Sequence, residues 1–172
     1  MNQPPLFLDR DLWGEDTALQ DAVAANGGDP ARLGLAAFGR DCGSAEMAEF
    51  ARAANENPPS LRRLDPRGEP LDTVDFHPAW HMLMDHGIAA GLHVPVGLSG
   101  APQGGHVGRA ARLYLECQAE PGHVCPLTMT QASGAALSRE PGLFARLAPK
   151  LAGRSYDPGF VPWWEKDTVT IG

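Results

Sequence analysis

The chain has 172 residues, 43% of them hydrophobic and 20% charged, which is typical of one globular domain with a real core. Its formal net charge is −7 and its longest basic cluster is Arg62-Arg63, so it lacks the basic stripe with which proteins neutralise nucleic-acid phosphates. It contains neither a long apolar run nor an apolar leader, so we expect neither a membrane span nor a secretory signal.

The cysteines indicate the compartment. Cys42, Cys117 and Cys125 are odd in number and widely spaced, which argues against a disulfide framework and suits a reducing environment. We therefore expect a cytoplasmic protein.

The first half of the chain is predicted to form short helices separated by glycine and proline. Asp16 or Thr17 can cap a helix that ends near residues 27–28. Asp29-Pro30 combines an N-cap carboxylate with proline at the first helical position and predicts the start of another helix. Ser44 caps the next helix, which Asn57-Pro58-Pro59 must stop because proline cannot continue a helix. A type I turn is predicted at 65–68 from its Asp-Pro-Arg-Gly sequence.

The clearest helix is predicted over about 78–93. Its apolar residues recur at the i, i+3, i+4, i+7 spacing of a helix face that packs on a core. A glycine within a helix costs about 1 kcal/mol relative to alanine, so close packing against a neighbouring helix is a reason to retain the two glycines of this face. The face comprises Trp80, Leu83, Met84, Gly87, Ile88, Gly91 and Leu92.

A further helix is predicted over about 107–118. Its charged residues are expected on the exposed face, where Arg112 and Glu116 are spaced to form an i,i+4 ion pair of a few tenths of a kcal/mol. Arg109 is expected beside them. The expected buried face comprises Val107, Ala110, Ala111, Tyr114 and Cys117.

The C-terminal third is predicted to hold two more helices and one strand. Pro126 opens a helix to about residue 138, and Pro141 opens one to about residue 151. The β-branched alternation at 168–171 predicts the beginning of a strand. The predicted fold class is therefore all-α, with the start of one β-strand at the C-terminal end.

Several short motifs in a fixed order carry a resemblance. They are Asn57-Pro58-Pro59, the turn at 65–68, the sequence FHPAWHMLM at 76–84, VGRAAR at 107–112 and CPLTMT at 125–130. In this order and spacing the chain resembles the AidB type, the adaptive-response branch, of the acyl-CoA dehydrogenase family, over about residues 4–172. The segment 94–106 departs from the family pattern, because it has prolines and glycines where a Trp-containing acidic segment is expected. We expect different loop contacts there and the same fold.

The resemblance implies an architecture. Acyl-CoA dehydrogenases have an N-terminal helical domain, a middle β domain and a C-terminal helical domain. Residues 1–165 would form the N-terminal helical domain, and 166–172 would be a stub of the middle β domain. The flavin loop and the catalytic glutamate of the family have no counterpart in these 172 residues.

The resemblance also implies a function for the full-length family. There FAD accepts a hydride from the β-carbon of an acyl-CoA while a glutamate removes the α-proton. The AidB type is also linked to the response to DNA alkylation and binds DNA through a basic C-terminal region, which this chain lacks. This chain would form subunit contacts in a homo-oligomer, usually a tetramer, and one wall of the acyl pocket. The predicted pocket residues are Thr128, Met129, Thr130 and Ser133.

By itself the chain is expected to be inactive and to bind no FAD stably. Its partner would be the rest of the polypeptide or a separately encoded second half. Arg109 and Arg112 could clamp a phosphate of coenzyme A, although a solvated face is the favoured interpretation. Trp163-Trp164 is expected to fill the joint between the helical and β domains, with a partner surface as the alternative.

Two rival functions remain open from the residues. One is a free-standing helical interaction module that docks on a flavoprotein partner or associates with itself. The other is a small metal- or thiol-dependent enzyme that uses His77, His81 and Cys125. We favour a structural role for these three, with His77 capping the helix and His81 bordering its apolar face, so no metal site is assigned.

Overall fold

The computed structural model describes residues 4–171. Within this range the chain forms eight α-helices, one two-stranded sheet and a final 3-10 turn, so the all-α class is confirmed with a small β addition. In chain order the elements are α1 (Thr17–Ala25), α2 (Pro30–Leu33), α3 (Leu35–Cys42), α4 (Ala45–Glu56), β1 (Ser60–Leu64), β2 (Pro70–Asp75), α5 (Pro78–Ala89), α6 (Gly105–Ala119), α7 (Val124–Leu137), α8 (Pro141–Leu151) and the 3-10 turn Trp163–Glu165.

Side-chain caps fix the starts of four helices. Asp16, Asp29 and Ser44 each accept a backbone N–H from the first turn of α1, α2 and α4. His77 does the same for α5 through its Nδ1 atom. These caps confirm the predicted helix starts, but the helix from Asp29 is interrupted at Gly34, whose φ of 63° separates α2 from α3.

The hairpin between α4 and α5 is an element that sequence analysis missed. β1 and β2 pair antiparallel with Leu61 opposite Val74, and the turn between them is the predicted one at 65–68. There the Asp65 carboxylate accepts the backbone N–H of Arg67 at 2.8 Å, and Gly68 has φ 86°. Sequence patterns did not indicate these strands, because both are mostly exposed and each has two charged residues, so they lack the apolar alternation of a half-buried strand.

The strand predicted over 168–171 was wrong for the described residues. Thr168 and Val169 are buried, and the backbone N–H of Val169 donates to the Lys150 carbonyl of α8 at 3.3 Å. A strand needs a neighbouring strand to satisfy its backbone groups, and here a helix end lies in that position instead.

The predicted apolar face of α5 is confirmed by its burial. Leu83, Met84, Gly87 and Ile88 are all buried. A Cβ atom at Gly87 would lie 2.4 Å from Leu127 Cδ1 of α7, so an alanine there would force the Leu127 side chain to move. Gly87 thus lies in the close packing that the sequence predicted, whereas Gly91 lies beyond the end of α5.

The helix ends earlier than predicted. α5 stops at Ala89, because Gly91 adopts φ 76° and turns the chain away. Leu92, His93 and Val94 follow in a buried loop.

Apolar residues of the described chain form three clusters. One joins α1, α3 and α6, a second joins α5 to α7, and a third joins α8 to the C-terminal segment through Leu147, Leu151 and Val169. Among residues 4–171, no helix is both long and apolar enough to cross a membrane.

Candidate functional site

The four predicted pocket residues lie on α7, but they do not share one surface. Met129 is 48% exposed and Thr128 is also exposed, whereas Thr130 is fully buried. Ser133 is half-buried, and its hydroxyl donates to the Thr130 carbonyl at 2.6 Å. Met129 and Ser133, four residues apart, are the pair placed to line a surface on one face of α7.

Thr130 anchors the C-terminal segment. Its hydroxyl donates to the Pro126 carbonyl at 2.6 Å, and the same oxygen accepts the backbone N–H of Ile171 at 2.8 Å. The last described residue is therefore attached to α7 beside Met129. A role of Thr130 in a pocket stays a prediction.

A separate cleft of about 530 Å³ lies between the hairpin, α5 and the segment after α8. Phe76 and Trp80 stack in it with ring centroids 3.9 Å apart, and His81 Nδ1 is 2.7 Å from the Tyr156 hydroxyl. Burial lowers the pKa of His81, and burial with nearby Asp157 raises the pKa of Tyr156 to about 12. Both groups are thus neutral near pH 7, so this contact is a hydrogen bond between neutral groups and not an ion pair.

The predicted faces of α6 were partly wrong. Ala111 is buried as expected, but Ala110, Tyr114 and Cys117 are exposed. Glu116, predicted to be exposed and paired with Arg112, has a fully buried side chain. The prediction failed because it assigned charged residues to solvent, whereas a carboxylate with enough hydrogen-bond partners can be buried.

Glu116 is the centre of a buried polar cluster. His86 Nδ1 of α5 lies 2.9 and 3.0 Å from its two carboxylate oxygens, and His123 Nε2 lies 2.9 Å from Oε1. His123 Nδ1 lies 2.9 Å from Glu120, and the Cys42 thiol lies 3.6 Å from Glu116 Oε2. Side chains from α3, α5 and the turn before α7 therefore converge on one carboxylate of α6.

The protonation states of the cluster follow from its contacts. Burial alone would raise the pKa of Glu116, but hydrogen bonds from His123 and His86 lower it to about 2. Burial alone would lower the pKa of His123, but its contacts with Glu116 and Glu120 raise it. Burial and the neighbouring Glu116 raise the pKa of the Cys42 thiol. Glu116 and Glu120 are thus carboxylates, His123 is an imidazolium and Cys42 is a neutral thiol.

Sequence reasoning missed this cluster. The signal present in the sequence was the spacing of Glu116, Glu120 and His123, which follows the period of one helix face into the next turn. The contributions of Cys42 and His86 come from other helices, so no local pattern could have indicated them.

The residues of the rival metal- or thiol-dependent enzyme do not form one site. His77 caps α5 and His81 contacts Tyr156, as described above. Cys125 is exposed on α7 with its sulfur 3.9 Å from that of Met129, while His123 points into the buried cluster. The structural roles expected for His77 and His81 fit these contacts.

Arg109 and Arg112 are half-buried and donate to backbone carbonyls, so they do not form the solvated face that was favoured, and a phosphate clamp stays a prediction. Arg109 Nε donates to the Leu92 carbonyl at 2.9 Å, and Arg112 donates to the Leu33 carbonyl. Arg154 donates to the Ala89 carbonyl. Arg109 Nη2 is buried and has no hydrogen-bond partner among the described residues.

The tryptophan pair is split between two environments. Trp163 is half-buried in the apolar cluster of α8, with Arg146 over its ring, whereas Trp164 is 61% exposed. Phe160 and Val161 nearby are exposed as well. An apolar surface therefore follows α8.

Comparison with known proteins gives matches over nearly the whole chain. Residues 2–158 match the family described as "Adaptive response protein AidB N-terminal domain". Over 172 residues, 99% of this chain, the sequence is 38% identical to the "Putative acyl-CoA dehydrogenase AidB" of Escherichia coli (strain K12). The chain spans 32% of the length of that curated relative.

Solved structures share the fold. The structure titled "Bd2924 apo-form" matches with a TM-score of 0.69 and 26% identity, over 86% of this chain and 30% of that one. Caenorhabditis elegans ACDH-11 in complex with C11-CoA matches with a TM-score of 0.70 and 18% identity, over 90% of this chain and 28% of that one. The chain therefore belongs to the AidB N-terminal domain family and corresponds to the N-terminal helical part of an AidB-type acyl-CoA dehydrogenase.

Proposed function

We propose that this chain forms one wall of the acyl pocket and part of the subunit contacts of a flavin-dependent acyl-CoA dehydrogenase-like protein, and that it has no turnover by itself. The observation that carries the proposal is the bond between Thr130 and the backbone of Ile171. It attaches the end of the described chain to α7, next to Met129 and Ser133. In a longer relative, the chain that follows would start beside that exposed face.

The chemical roles divide between this chain and the later domains. FAD, held by those domains, would supply hydride acceptance, and the residues here would shape the cavity. Met129 offers an apolar, adaptable side chain to an acyl group. Thr128 and Ser133 would border it, and buried Thr130 would set the position of the wall. We place the domain boundary near residues 165–166, with 166–172 leading into the β domain.

The partners follow from the same proposal. The docking partner is the rest of the acyl-CoA dehydrogenase polypeptide, whether fused or separately encoded, in a cytoplasmic homo-oligomer. With a net charge of −7, this chain is not the part that would bind nucleic acid.

The test is a chimaera in which this chain replaces the matching third of the Escherichia coli relative. We expect the chimaera to retain FAD and to bind an acyl-CoA, with C11-CoA as the first probe because a protein of this fold was solved with it. Met129→Gln should weaken acyl-CoA binding about tenfold by placing an amide against the acyl chain.

Met82→Gln is the matched control, since Met82 on α5 is also a helical methionine with 48% exposure. It should leave acyl-CoA binding unchanged. Equal effects of the two substitutions, or no effect of either, would refute the assignment of Met129 to the acyl pocket.

The isolated chain gives a second test. After incubation with FAD and gel filtration, the protein peak should carry no flavin absorbance, because the flavin loop of the family has no counterpart in these 172 residues. Flavin that co-elutes with the chain would show that the cofactor assignment to the later domains is wrong.

An interaction module is a second candidate, favoured by the exposed apolar side chains of Phe160, Val161 and Trp164. It would be a monodisperse domain that binds a separate flavoprotein partner. Sedimentation analysis distinguishes this module from the acyl-pocket domain proposed above. The module should be monodisperse, whereas a domain that lacks its covalent neighbour should associate with itself through this surface.

A further inference from the structure

The buried cluster around Glu116 combines the three ligand types that zinc accepts. Cys42 ends α3, His86 lies on α5 and Glu116 lies on α6, so the three side chains come from three helices. One ligand atom from each lies within 4.8 Å of the other two. A thiolate sulfur, an imidazole nitrogen and a carboxylate oxygen together are typical zinc ligands.

We propose that Cys42, His86 and Glu116 bind one Zn²⁺ ion between α3, α5 and α6, with water as the fourth ligand. The separations suit the ion. Cys42 Sγ is 3.6 Å and His86 Nδ1 is 2.9 Å from the same oxygen, Glu116 Oε2. Ligand atoms around tetrahedral zinc are about 3.3–3.6 Å apart, so small side-chain movements admit the ion.

Carboxylate oxygens surround the proposed ion site. Both nitrogens of His123 face carboxylate oxygens at 2.9 Å, so both carry protons and the ring is an imidazolium. Glu116 and Glu120 thus supply carboxylate oxygens on both sides of the His123 ring. Cys42 would bind Zn²⁺ as the thiolate, and its proton would be released to solvent on binding. His86 would bind the ion through Nδ1, with its ring proton on Nε2.

The surrounding residues already hold the ligands in place. His123 donates to Glu116 Oε1, which leaves Oε2 directed at the thiol, and Glu120 fixes His123 from the other side. Phe38 stacks on the His86 ring with centroids 5.0 Å apart. Such outer contacts orient metal ligands and raise affinity. The His86 side chain is 23% exposed, which gives the ion and a water ligand a path from solvent.

The experiment uses the reduced, chelator-treated chain and Co²⁺ as a spectroscopic substitute for Zn²⁺. We expect a thiolate-to-cobalt charge-transfer band in the near ultraviolet that saturates at one equivalent and is abolished by one equivalent of Zn²⁺. Cys42→Ser should remove the band and weaken Zn²⁺ binding more than about 100-fold, as loss of a ligand exceeds the effect of an outer contact. Cys125→Ser, at an exposed cysteine of α7, should behave like the unmodified chain.

Each other outcome overturns the proposal. A folded chain without the band, a band that survives Cys42→Ser or a band lost in Cys125→Ser would each place the thiolate elsewhere or exclude the site. If circular dichroism shows that Cys42→Ser is unfolded, His86→Gln is used in its place. His86 is partly exposed, so its substitution should disturb folding less. In that variant Zn²⁺ binding should fall to the same extent, and unchanged binding would refute the site.

Discussion

His93 shows how a single buried residue can control stability. Its side chain is fully buried, and Nε2 lies 2.8 Å from the Gly153 carbonyl, to which it donates as the neutral tautomer. Nδ1 has no hydrogen-bond partner among the described residues. A proton there would be buried without an acceptor, so burial and the nearby Arg154 lower the pKa of His93 to about 4.

The pH dependence of stability follows from this shift. Between pH 4 and 6.5 the unfolded chain binds more protons at this site than the folded chain, so stability rises with pH and is lost as pH falls through this range. We expect His93 to remove about 2 kcal/mol of unfolding free energy between about pH 7 and about pH 5. Denaturant unfolding at the two pH values measures this change in unfolding free energy. In His93→Gln the unfolding free energy should fall correspondingly less between them.

Thr130 supports a second prediction at this scale. Thr130→Val keeps the shape but removes the hydroxyl that accepts the Ile171 N–H, so the unfolding free energy should fall by about 1–2 kcal/mol. Hydrogen exchange at the Ile171 amide should accelerate. Thr128→Val is the control, because Thr128 is exposed on the same helix and should change neither quantity. Unchanged exchange at Ile171 in Thr130→Val would show that this bond does not hold the segment.

At the scale of elements, the contact between α5 and α7 depends on a missing side chain. Gly87 allows Leu127 to occupy the space that a Cβ atom would take. Interiors are packed densely, so an added methyl group must displace its neighbours.

Gly87→Ala should therefore destabilise the protein by about 1–3 kcal/mol, despite the better helix propensity of alanine. Gly142→Ala is the matched substitution in α8, where a Cβ atom would meet nothing within 4 Å. It should stabilise by about 0.4–1 kcal/mol by restricting the unfolded chain. Thermal or denaturant unfolding distinguishes the two, and stabilisation by both would mean that Leu127 repacks freely.

The elements also show why local patterns succeed or fail. Capped helix starts at Asp16, Ser44 and His77 were predictable, because a cap acts within one turn of the chain. The β1–β2 hairpin was not, since its strands are exposed and only their pairing defines them. The predicted strand at 168–171 failed for the converse reason, because its residues have strand propensity but no partner strand.

For the whole molecule, the distribution of exposed apolar residues gives a prediction. Phe160 and Trp164 are 68% and 61% exposed in the segment after α8. We expect the isolated chain to bind a hydrophobic dye and to associate with itself through this surface. Replacement of both residues by serine should reduce dye fluorescence and association several-fold. Leu6→Ser, at an exposed leucine outside this segment, should have little effect, and equal effects would exclude this surface as the site.

The amino-acid sequence by itself determined the family resemblance, the helical class and most helix starts, because motifs, caps and the apolar spacing of α5 are properties of neighbouring residues. Only the tertiary structure decided which polar side chains are buried and which groups they contact. Glu116 and His93 are buried and Arg112 is directed to a carbonyl, because partners from distant segments satisfy them. Prediction from short segments of sequence places charged residues on the surface by default. Burial of a charge depends on groups that come together only when the chain has folded.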